Sequence, residues 1–314
     1  MRARVAVLDD YQSVALTSAD WSPVTTRADV TVFNDHVADP DALVDRLTPF
    51  DVVFVMRERT PLPRNVIERL PRLRMIASTG PFNASIDMAA AADAGIHVGT
   101  TGGSVASTVE LTWALILGAS RHLVAERNAV ADGLWQTTVG RELDRRVLGV
   151  LGLGRIGPRV ARIGAAFGMD VVAWSPNMTP ETAAEAGARY LPRDEFFAGV
   201  DVLTVHMKLG DRSRGLIGAA ELAAMKPTAL LVNTSRGPII DEGALIAALQ
   251  AGTIAGAALD VFDTEPLPLD HPLRTLDNVL ATPHLGYVAD RPYRIFFRDA
   301  VAAIAEWLDG RRPE

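Results

Sequence analysis

Short apolar runs rich in β-branched residues alternate with alanine-rich segments of helical pattern through most of this 314-residue chain. That alternation is typical of βαβ units, in which a helix joins two neighbouring parallel strands. The length is enough for about two domains. The sequence therefore predicts an α/β fold of two doubly wound parallel-sheet domains, the first flavodoxin-like and the second of the Rossmann type. The predicted strands are 4–8, 30–33, 51–55, 74–77, 96–98, 147–151, 170–174, 201–205, 229–233, 255–259 and 279–281.

Residues 100–127 interrupt this alternation, because they read as one long helical segment without a strand. Ser107 and Glu110 have the spacing of a capping box at the start of that helix. Two interpretations stay open for the segment. It is either a buried core helix or a connecting helix that crosses between the domains and helps to build a dimer.

The end of the chain bears on the domain boundaries. Apolar residues recur at helical spacing in 291–308, which predicts a last helix that packs back on the first domain. We therefore predict a first domain of residues 1–99 that is completed by residues 286–314. The second domain is predicted to cover residues 100–285.

Residues 152–157 read Gly-Leu-Gly-Arg-Ile-Gly and lie between an apolar run and a helical pattern. In this context the first glycine permits a tight turn, the second a close backbone approach to a pyrophosphate, and the third close helix–strand packing. The N-terminus of the helix adds oriented N–H groups and a partial positive charge. The sequence therefore predicts that a dinucleotide binds here. The candidate contacts in this turn are Gly152, Gly154, Arg155, Ile156 and Gly157.

The residues after the next predicted strand bear on the choice of cofactor. A carboxylate that binds the ribose diol of NAD normally stands there, and this chain has Ser175 and Asn177 instead. Either side chain can form hydrogen bonds with NAD or with NADP. The nearest downstream cation that could attract a 2′-phosphate is Arg189. We expect NAD as the cofactor and keep NADP open.

Three residues of complementary chemistry follow later strands of the second series, namely Arg236, Glu265 and His284. Open parallel sheets bind ligands at the carboxyl ends of their strands. A guanidinium there can hold a carboxylate in fork geometry, and an imidazole can exchange a proton near neutral pH. A carboxylate that is hydrogen-bonded to the imidazole orients it and stabilises its protonated form. The trio predicts a site that binds an organic anion and moves a proton while a nicotinamide moves a hydride.

The segments that carry these residues are LVNTSRGPIIDE (231–242), ALDVFDTEP (258–266) and TPHLG (282–286). With the glycine turn before them, they resemble the D-isomer-specific 2-hydroxyacid dehydrogenases, and the resemblance covers nearly the whole chain. It implies an NAD(P)-dependent interconversion of a D-2-hydroxy acid and its 2-keto acid. In that reaction Arg236 would bind the substrate carboxylate, and His284 would act as the general acid and base.

The resemblance also implies further cofactor contacts. Asp260 matches a family residue near the nicotinamide carboxamide, and Thr234 and Ser235 match backbone contacts to the cofactor. His206 matches a family position beside the cofactor, and a packed structural histidine is an equal alternative.

The first domain departs from the common family pattern. Many relatives carry a Gly-x-Gly loop whose N–H groups hold the substrate carboxylate. This chain keeps Gly80, but Phe82 replaces the second glycine and Pro81 removes one donor. Phe82 could wall the substrate pocket or point into the core, and Arg57 could add a charge for acidic substrates or lie on the surface. Ser104 falls near a position of the linking helix at which the family usually has asparagine.

Composition and resemblance together bound the partners. The formal net charge of −7 disfavours nucleic acid and anionic membrane as partners, and a chain without cysteine has no disulfide or thiolate ligand. The N-terminus reads as a first strand, not a signal peptide, so we expect a cytoplasmic enzyme. We also expect no metal site. The resemblance implies a homodimer with residues 111–135 near the contact, and closure of an interdomain cleft over a small 2-keto or 2-hydroxy acid.

Two other functions fit a fold of this kind. A formate dehydrogenase typically holds glutamine where this chain has Glu265, which argues against that activity. The alternative from another class is an NAD(H)-sensing, non-catalytic protein similar to corepressors, since such proteins keep the Arg, Glu and His residues. Turnover of keto acids would separate the enzyme from the sensor.

Overall fold

A computed structural model describes residues 2–310 of the chain. Its strands match the predicted alternation, because each short β-branched run forms a strand that is followed by a helix or a turn. The strands are β1 (Ala3–Val7), β2 (Ala28–Val32), β3 (Val52–Val55), β4 (Met75–Ser78), β5 (His97–Thr100), β6 (Val147–Leu151), β7 (Asp170–Trp174), β8 (Arg189–Tyr190), β9 (Val202–Val205), β10 (Leu230–Asn233), β11 (Gly256–Leu259) and β12 (Val279–Ala281).

The helices occupy the connections between these strands. Several begin at an aspartate whose side chain accepts a hydrogen bond from the first turn, as Asp39, Asp87 and Asp241 do. The α-helices are α1 (Ser22–Thr25), α2 (Pro40–Leu47), α3 (Arg64–Ile67), α4 (Met88–Asp93), α5 (Ala106–Ser120), α6 (Leu123–Ala131), α7 (Gly157–Ala166), α8 (Pro180–Glu185), α9 (Arg193–Gly199), α10 (Ala219–Ala224), α11 (Glu242–Gln250) and α12 (Asp290–Leu308).

The chain divides into two compact units, one that joins the residues up to Ser104 to those from Ala289 onward, and one of Val105–Val288. The first unit holds a five-stranded sheet in the order β2-β1-β3-β4-β5, and the second a seven-stranded sheet in the order β12-β11-β10-β9-β6-β7-β8. All registered strand pairs are parallel. The first order is flavodoxin-like and the second is the Rossmann order with one added strand, which confirms the predicted fold class.

The central strands β3 and β4 of the first unit's sheet are buried on both faces, as nearly uninterrupted apolar strands require. Val53 and Val55 lie on the face that α2 covers through Leu47. Successive residues of a strand point to opposite faces, and Phe54 stacks on Phe297 of α12 with ring centroids 5.1 Å apart. The last helix therefore belongs to the core of the unit that contains the chain's beginning.

The sheet of the second unit is also covered on both faces. Leu231 packs on the side of α10 and α11, whereas Val232 faces the layer that contains Trp113 of α5 and Val160 of α7. In this sheet the strand order reverses between β6 and β9. Open α/β sheets bind ligands at such a switch point, outside the carboxyl ends of the strands.

Two local predictions were wrong, and one strand was not predicted. The single helix expected over 100–127 is two helices, because His122 takes a left-handed conformation with φ of 50° between α5 and α6. The capping box does not form, since α5 begins at Ala106 and buries Ser107 within its first turn. The two-residue strand β8 was not predicted, and it is too short to show a pattern.

Candidate active site

The side chains of Glu265 and His284 form a direct pair beyond the carboxyl ends of β11 and β12. Oε2 of Glu265 lies 2.6 Å from Nδ1 of His284, and Oε1 accepts the N–H of Phe262 at 2.9 Å. Both oxygens of the carboxylate are thus committed, and the imidazole orientation is fixed. The imidazole also packs against Tyr287, whose ring centroid lies 5.1 Å from that of His284 in an edge-to-face arrangement.

The loop that carries His284 is held by a second carboxylate. His284 itself has a positive φ of 52°, a strained conformation that persists only where the surroundings enforce it. Asp260, fully buried after β11, accepts the N–H groups of Leu285 at 2.7 Å and Gly286 at 2.8 Å, and the hydroxyl of Thr282 at 2.7 Å. Burial raises the pKa of the Asp260 carboxyl, while these hydrogen bonds and the nearby His284 oppose the rise. Asp260 therefore binds the backbone that follows the histidine and the side chain of Thr282 that precedes it.

Arg236 lies in the loop after β10 and is held by its own backbone neighbours. The buried amide of Asn233 donates to the carbonyl of Arg236 at 2.9 Å and accepts the N–H of Ser235 at 3.0 Å. The guanidinium donates to the carbonyl of Ser235 at 2.7 Å. A Cβ on Gly237 would overlap the backbone of Phe262, so only glycine lets this loop touch the loop that leads to Glu265. The arginine loop and the glutamate loop are therefore in direct contact.

The glycine turn has the geometry that its spacing predicts. Gly152 follows β6 with φ of +97°, and a Cβ there would lie 2.9 Å from the carbonyl oxygen of His206. A Cβ on Gly157 would overlap the carbonyl oxygen of Gly152, so the helix α7 packs against the strand only with glycine at this position. Gly154 is exposed, and a Cβ there would meet nothing within 4 Å. These residues fit a dinucleotide, since the backbone at Gly154 is open to close approach at the N-terminus of a ten-residue helix.

Ser175 and Asn177 follow β7, next to the strand that leads into the glycine turn. Asn177 is exposed and Ser175 is partly buried. Arg189, the downstream cation, is paired with Asp170 at the start of β7, with 2.7 Å between Nη2 and the carboxylate. Its guanidinium is thus bound at the end of β7 that is opposite to Ser175.

Thr234 and His206 complete the carboxyl edge of this sheet. Thr234 is buried directly after β10, and its hydroxyl lies 2.8 Å from that of Thr112 on α5. Ser235 donates its hydroxyl to the carbonyl of Met207. Nε2 of His206 lies 2.9 Å from the hydroxyl of Thr204, and burial lowers the pKa of His206 to about 3. His206 is therefore a neutral, packed histidine near neutral pH.

The three residues predicted to bind substrate lie in the other unit. Arg57 follows β3 with φ of 53°, donates to the carbonyl of Thr79 at 3.1 Å and lies 3.7 Å from the carboxylate of Glu58. Its guanidinium fills the space that a Cβ on Gly80 would take. The N–H of Gly80 donates to the hydroxyl of Thr101 at 2.7 Å. Gly80 is thus required by its φ of +81° and by the packing of Arg57.

Phe82 is 55% exposed, so it does not point into the core of its unit. The neighbouring Asn83 is buried and donates to the carbonyl of Arg57 at 2.6 Å and to the hydroxyl of Ser78 at 3.1 Å. Asn83 therefore fixes the strained backbone of Arg57, a role that the sequence did not reveal.

Together these contacts place one histidine–carboxylate pair, one guanidinium and one open glycine turn at the carboxyl edge of a single sheet. Sequence reasoning missed the residues that hold these groups and the loops of Arg57 and Gly80, because most of their hydrogen bonds reach other segments of the chain. Those residues are Asn83, Thr101, Thr108, Thr112 and Asn233. Among residues 2–310 no group of three His, Cys, Asp or Glu side chains could hold a metal ion, and no helix combines the length and apolarity of a bilayer span.

Comparison with protein families gives one match that covers more than half of the chain. The model of the D-isomer specific 2-hydroxyacid dehydrogenase NAD binding domain matches residues 113–286. The matched range contains the glycine turn, the Glu265–His284 pair and the arginine loop.

Individual relatives extend the match beyond that domain. The glyoxylate reductase of Aeropyrum pernix is 40% identical over 267 residues, which are 82% of this chain and 79% of that protein. The D-3-phosphoglycerate dehydrogenase of Methanocaldococcus jannaschii is 39% identical over 250 residues, which are 78% of this chain but 47% of that longer protein. The crystal structure of a phosphoglycerate oxidoreductase from Vibrio cholerae superposes with a TM-score of 0.93 at 40% identity, covering 98% of this chain and 99% of that one.

Proposed function

The chain belongs to the D-isomer specific 2-hydroxyacid dehydrogenase family, whose members are NAD-dependent oxidoreductases that act on a CH–OH group, and we propose that it interconverts a D-2-hydroxy acid and its 2-keto acid with His284 as the general acid and base. The observation that carries this proposal is the 2.6 Å contact between Nδ1 of His284 and Oε2 of Glu265. It has the base–orienter geometry that acid–base catalysis by histidine requires.

The direction of the hydrogen bond defines the reactive nitrogen. An ionised carboxylate only accepts, so Nδ1 carries a proton and Nε2 exchanges one with the substrate oxygen. In the reduction of a keto acid, the protonated His284 donates from Nε2 to the oxygen that develops negative charge at C2. In the oxidation of the hydroxy acid, neutral Nε2 takes the hydroxyl proton, and Glu265 stabilises the imidazolium that forms.

NAD, when bound, accepts or supplies the hydride at C2 of the substrate. The residues that would hold it are those of the glycine turn, Gly152, Gly154, Arg155, Ile156 and Gly157, with Ser175 and Asn177 at the adenosine side and Thr234, Ser235 and Asp260 at the nicotinamide side. The open backbone at Gly154 supports this assignment. Asp260 contributes by fixing the His284 loop, since both of its oxygens already accept hydrogen bonds.

The substrate that we propose is a small 2-keto or 2-hydroxy acid. Arg236 supplies a guanidinium for the substrate carboxylate, which it can hold in bidentate geometry. From the other unit we propose Arg57, Gly80 and Phe82 as the substrate-contacting residues. Because Glu58 lies close to Arg57 and partly offsets its charge, the proposal favours a substrate with a single carboxylate over one with an additional phosphate.

The test is oxidation of NADH or NADPH, followed by absorbance, with glyoxylate, hydroxypyruvate, pyruvate, phenylpyruvate and 2-ketoisocaproate. Oxidation of 3-phosphoglycerate with NAD tests the reverse direction with a substrate that carries a phosphate in addition to its carboxylate. We expect turnover of a small keto acid with NADH, and loss of turnover in the His284→Asn variant. Tight NADH binding without turnover of any acid would contradict the proposal and favour the sensor. The named relatives reported above are oxidoreductases, which does not favour the sensor.

We propose that the protein is a homodimer that associates through α6 and the segment after it. This segment exposes a row of large apolar side chains that a monomer would leave in water. Sedimentation velocity should show a dimer, and replacement of Trp135 by serine should weaken it. A monomer at micromolar concentration would contradict the proposal, as would unchanged association of the variant. The exposed apolar residues of this row are Leu123, Val124, Val130, Leu134, Trp135 and Val139.

We further propose that the protein is located in the cytoplasm, where a pool of NAD is present.

A further inference from the structure

The loop that carries His284 is also held by a residue of α5. The hydroxyl of Thr108, in the first turns of α5, donates to the carbonyl of Gly286 at 2.9 Å. A Cβ on Gly286 would lie 3.3 Å from Oδ2 of Asp260 and 3.4 Å from Cγ2 of Thr108. Gly286 is therefore enclosed between the two side chains, with its N–H bound to one and its carbonyl bound to the other.

The same helix reaches the loop after β10 one turn later. The hydroxyl of Thr112 donates to the carbonyl of Thr108 at 2.7 Å, and it lies 2.8 Å from the hydroxyl of Thr234. A hydroxyl has one proton to donate. Since Thr112 uses its proton on Thr108, the hydroxyl of Thr234 must be the donor to Thr112. The oxygen of Thr234 is then left only as an acceptor.

Helix α5 thus contacts both loops through hydroxyl groups on one face. Thr108 binds the histidine loop, and Thr112 binds the first residue after β10, two residues before Arg236. Ser107 is the contrasting residue, because its buried hydroxyl has no hydrogen-bond partner among residues 2–310. The contacts are therefore specific to the threonine positions and not a general property of the helix.

We propose that Thr108 is a positioning residue that, together with Asp260, fixes the loop of His284 in its left-handed conformation. This inference rests on the proposed function of His284, and it adds a residue from outside the three motif segments. Without the hydroxyl, the carbonyl of Gly286 loses its partner in a buried position, and the loop gains freedom to move His284 out of line with its proton acceptor. Thr108 is not among the residues that we propose to hold NAD, so its contact acts on the rate of proton transfer more than on NAD binding.

The kinetic test compares three variants. Thr108→Val is nearly isosteric and removes the hydroxyl, Thr108→Ser restores it, and Ser107→Ala removes a neighbouring hydroxyl that has no partner. Loss of one such hydrogen bond corresponds to about a tenfold effect. In single-turnover oxidation of NADH with the best keto acid, we expect Thr108→Val to lower the rate about tenfold at an unchanged Kd for NADH. Thr108→Ser and Ser107→Ala should stay close to the wild-type rate.

A second readout does not depend on turnover. The amides of Leu285 and Gly286 donate to Asp260, so their hydrogen exchange reports on how firmly the loop is held. We expect exchange about tenfold faster in Thr108→Val, with normal exchange in Thr108→Ser and Ser107→Ala. If the wild type turned over no acid but this exchange pattern held, the proposed function would fail while the structural role of Thr108 stood. Wild-type exchange and wild-type rate in Thr108→Val would overturn the inference.

Discussion

Replacing Glu265 by glutamine changes one atom of the pair that orients His284. In the structure Oε1 accepts the N–H of Phe262, and Oε2 accepts from Nδ1 of the imidazole. A glutamine has one acceptor for these two donors. Its NH₂ group must therefore face either the backbone N–H or the imidazole nitrogen, and the imidazolium loses its negative partner in both cases.

The size of the effect follows from the strength of that contact. A hydrogen bond to a charged group contributes about 1.5–3 kcal/mol, which corresponds to about a 10- to 150-fold lower kcat/KM in keto-acid reduction. The assay is steady-state NADH oxidation with the best keto acid.

The chain offers a matched control in Glu242. Its Oε1 lies 3.1 Å from Nε2 of His271, and its Oε2 accepts the N–H of Asp263 at 3.3 Å. Glu242→Gln removes the same kind of contact away from the Glu265–His284 pair, so it should lower the melting temperature and leave kcat/KM within twofold of wild type. A Glu265→Gln variant with kcat/KM within twofold of wild type would refute this prediction, as would an equal loss of kcat/KM in both variants.

Three further predictions concern cofactor binding and stability. Gly154→Ala should leave the melting temperature unchanged, since its Cβ meets nothing within 4 Å, but should weaken NADH binding about tenfold in a fluorescence titration; unchanged affinity would contradict the assigned role of the turn. Asp260→Asn should cost about 1–3 kcal/mol of unfolding free energy in urea, because one amide cannot accept all three hydrogen bonds, and wild-type stability would count against the described clamp. The pKa of His206 is about 3 in the folded protein and 6.5 in the unfolded chain. The stability that neutral His206 contributes is therefore complete above pH 6.5 and is lost as the pH falls towards 3. Between pH 8 and pH 5 the wild type should thus lose roughly 2 kcal/mol more stability than His206→Gln, and equal losses in the two proteins would show that His206 is protonated when folded.

The fold was accessible from the sequence because strand and helix patterns in parallel sheets are local. Apolar runs such as 147–151 and 201–205 each form a buried strand at nearly the predicted bounds. The break at His122 was not accessible, since neither Arg121 nor His122, which follow the end of α5, is a proline or a glycine. The early start of α5 likewise depends on tertiary packing that buries Ser107, and the Ser–Glu spacing could not reveal it.

The site divides in the same way. The glycine turn and the Glu265–His284 pair were predicted as motifs, because each chemical role requires a particular residue type after a strand. The supporting residues were not, because the contact between Thr108 and Gly286 joins positions 178 apart in the chain. A threonine inside an apolar helix carries no sequence signal that its hydroxyl binds a distant loop.

The most direct test of the account is the rate of keto-acid reduction by His284→Asn. Asparagine tolerates the left-handed backbone of position 284, and its amide can still donate to Glu265, so the loop should stay in place. With the best keto acid and NADH, the account predicts a kcat/KM at least roughly 10²-fold below wild type at an unchanged Kd for NADH. A variant that retains more than a tenth of the wild-type kcat/KM would contradict the assignment of His284 as the general acid and base.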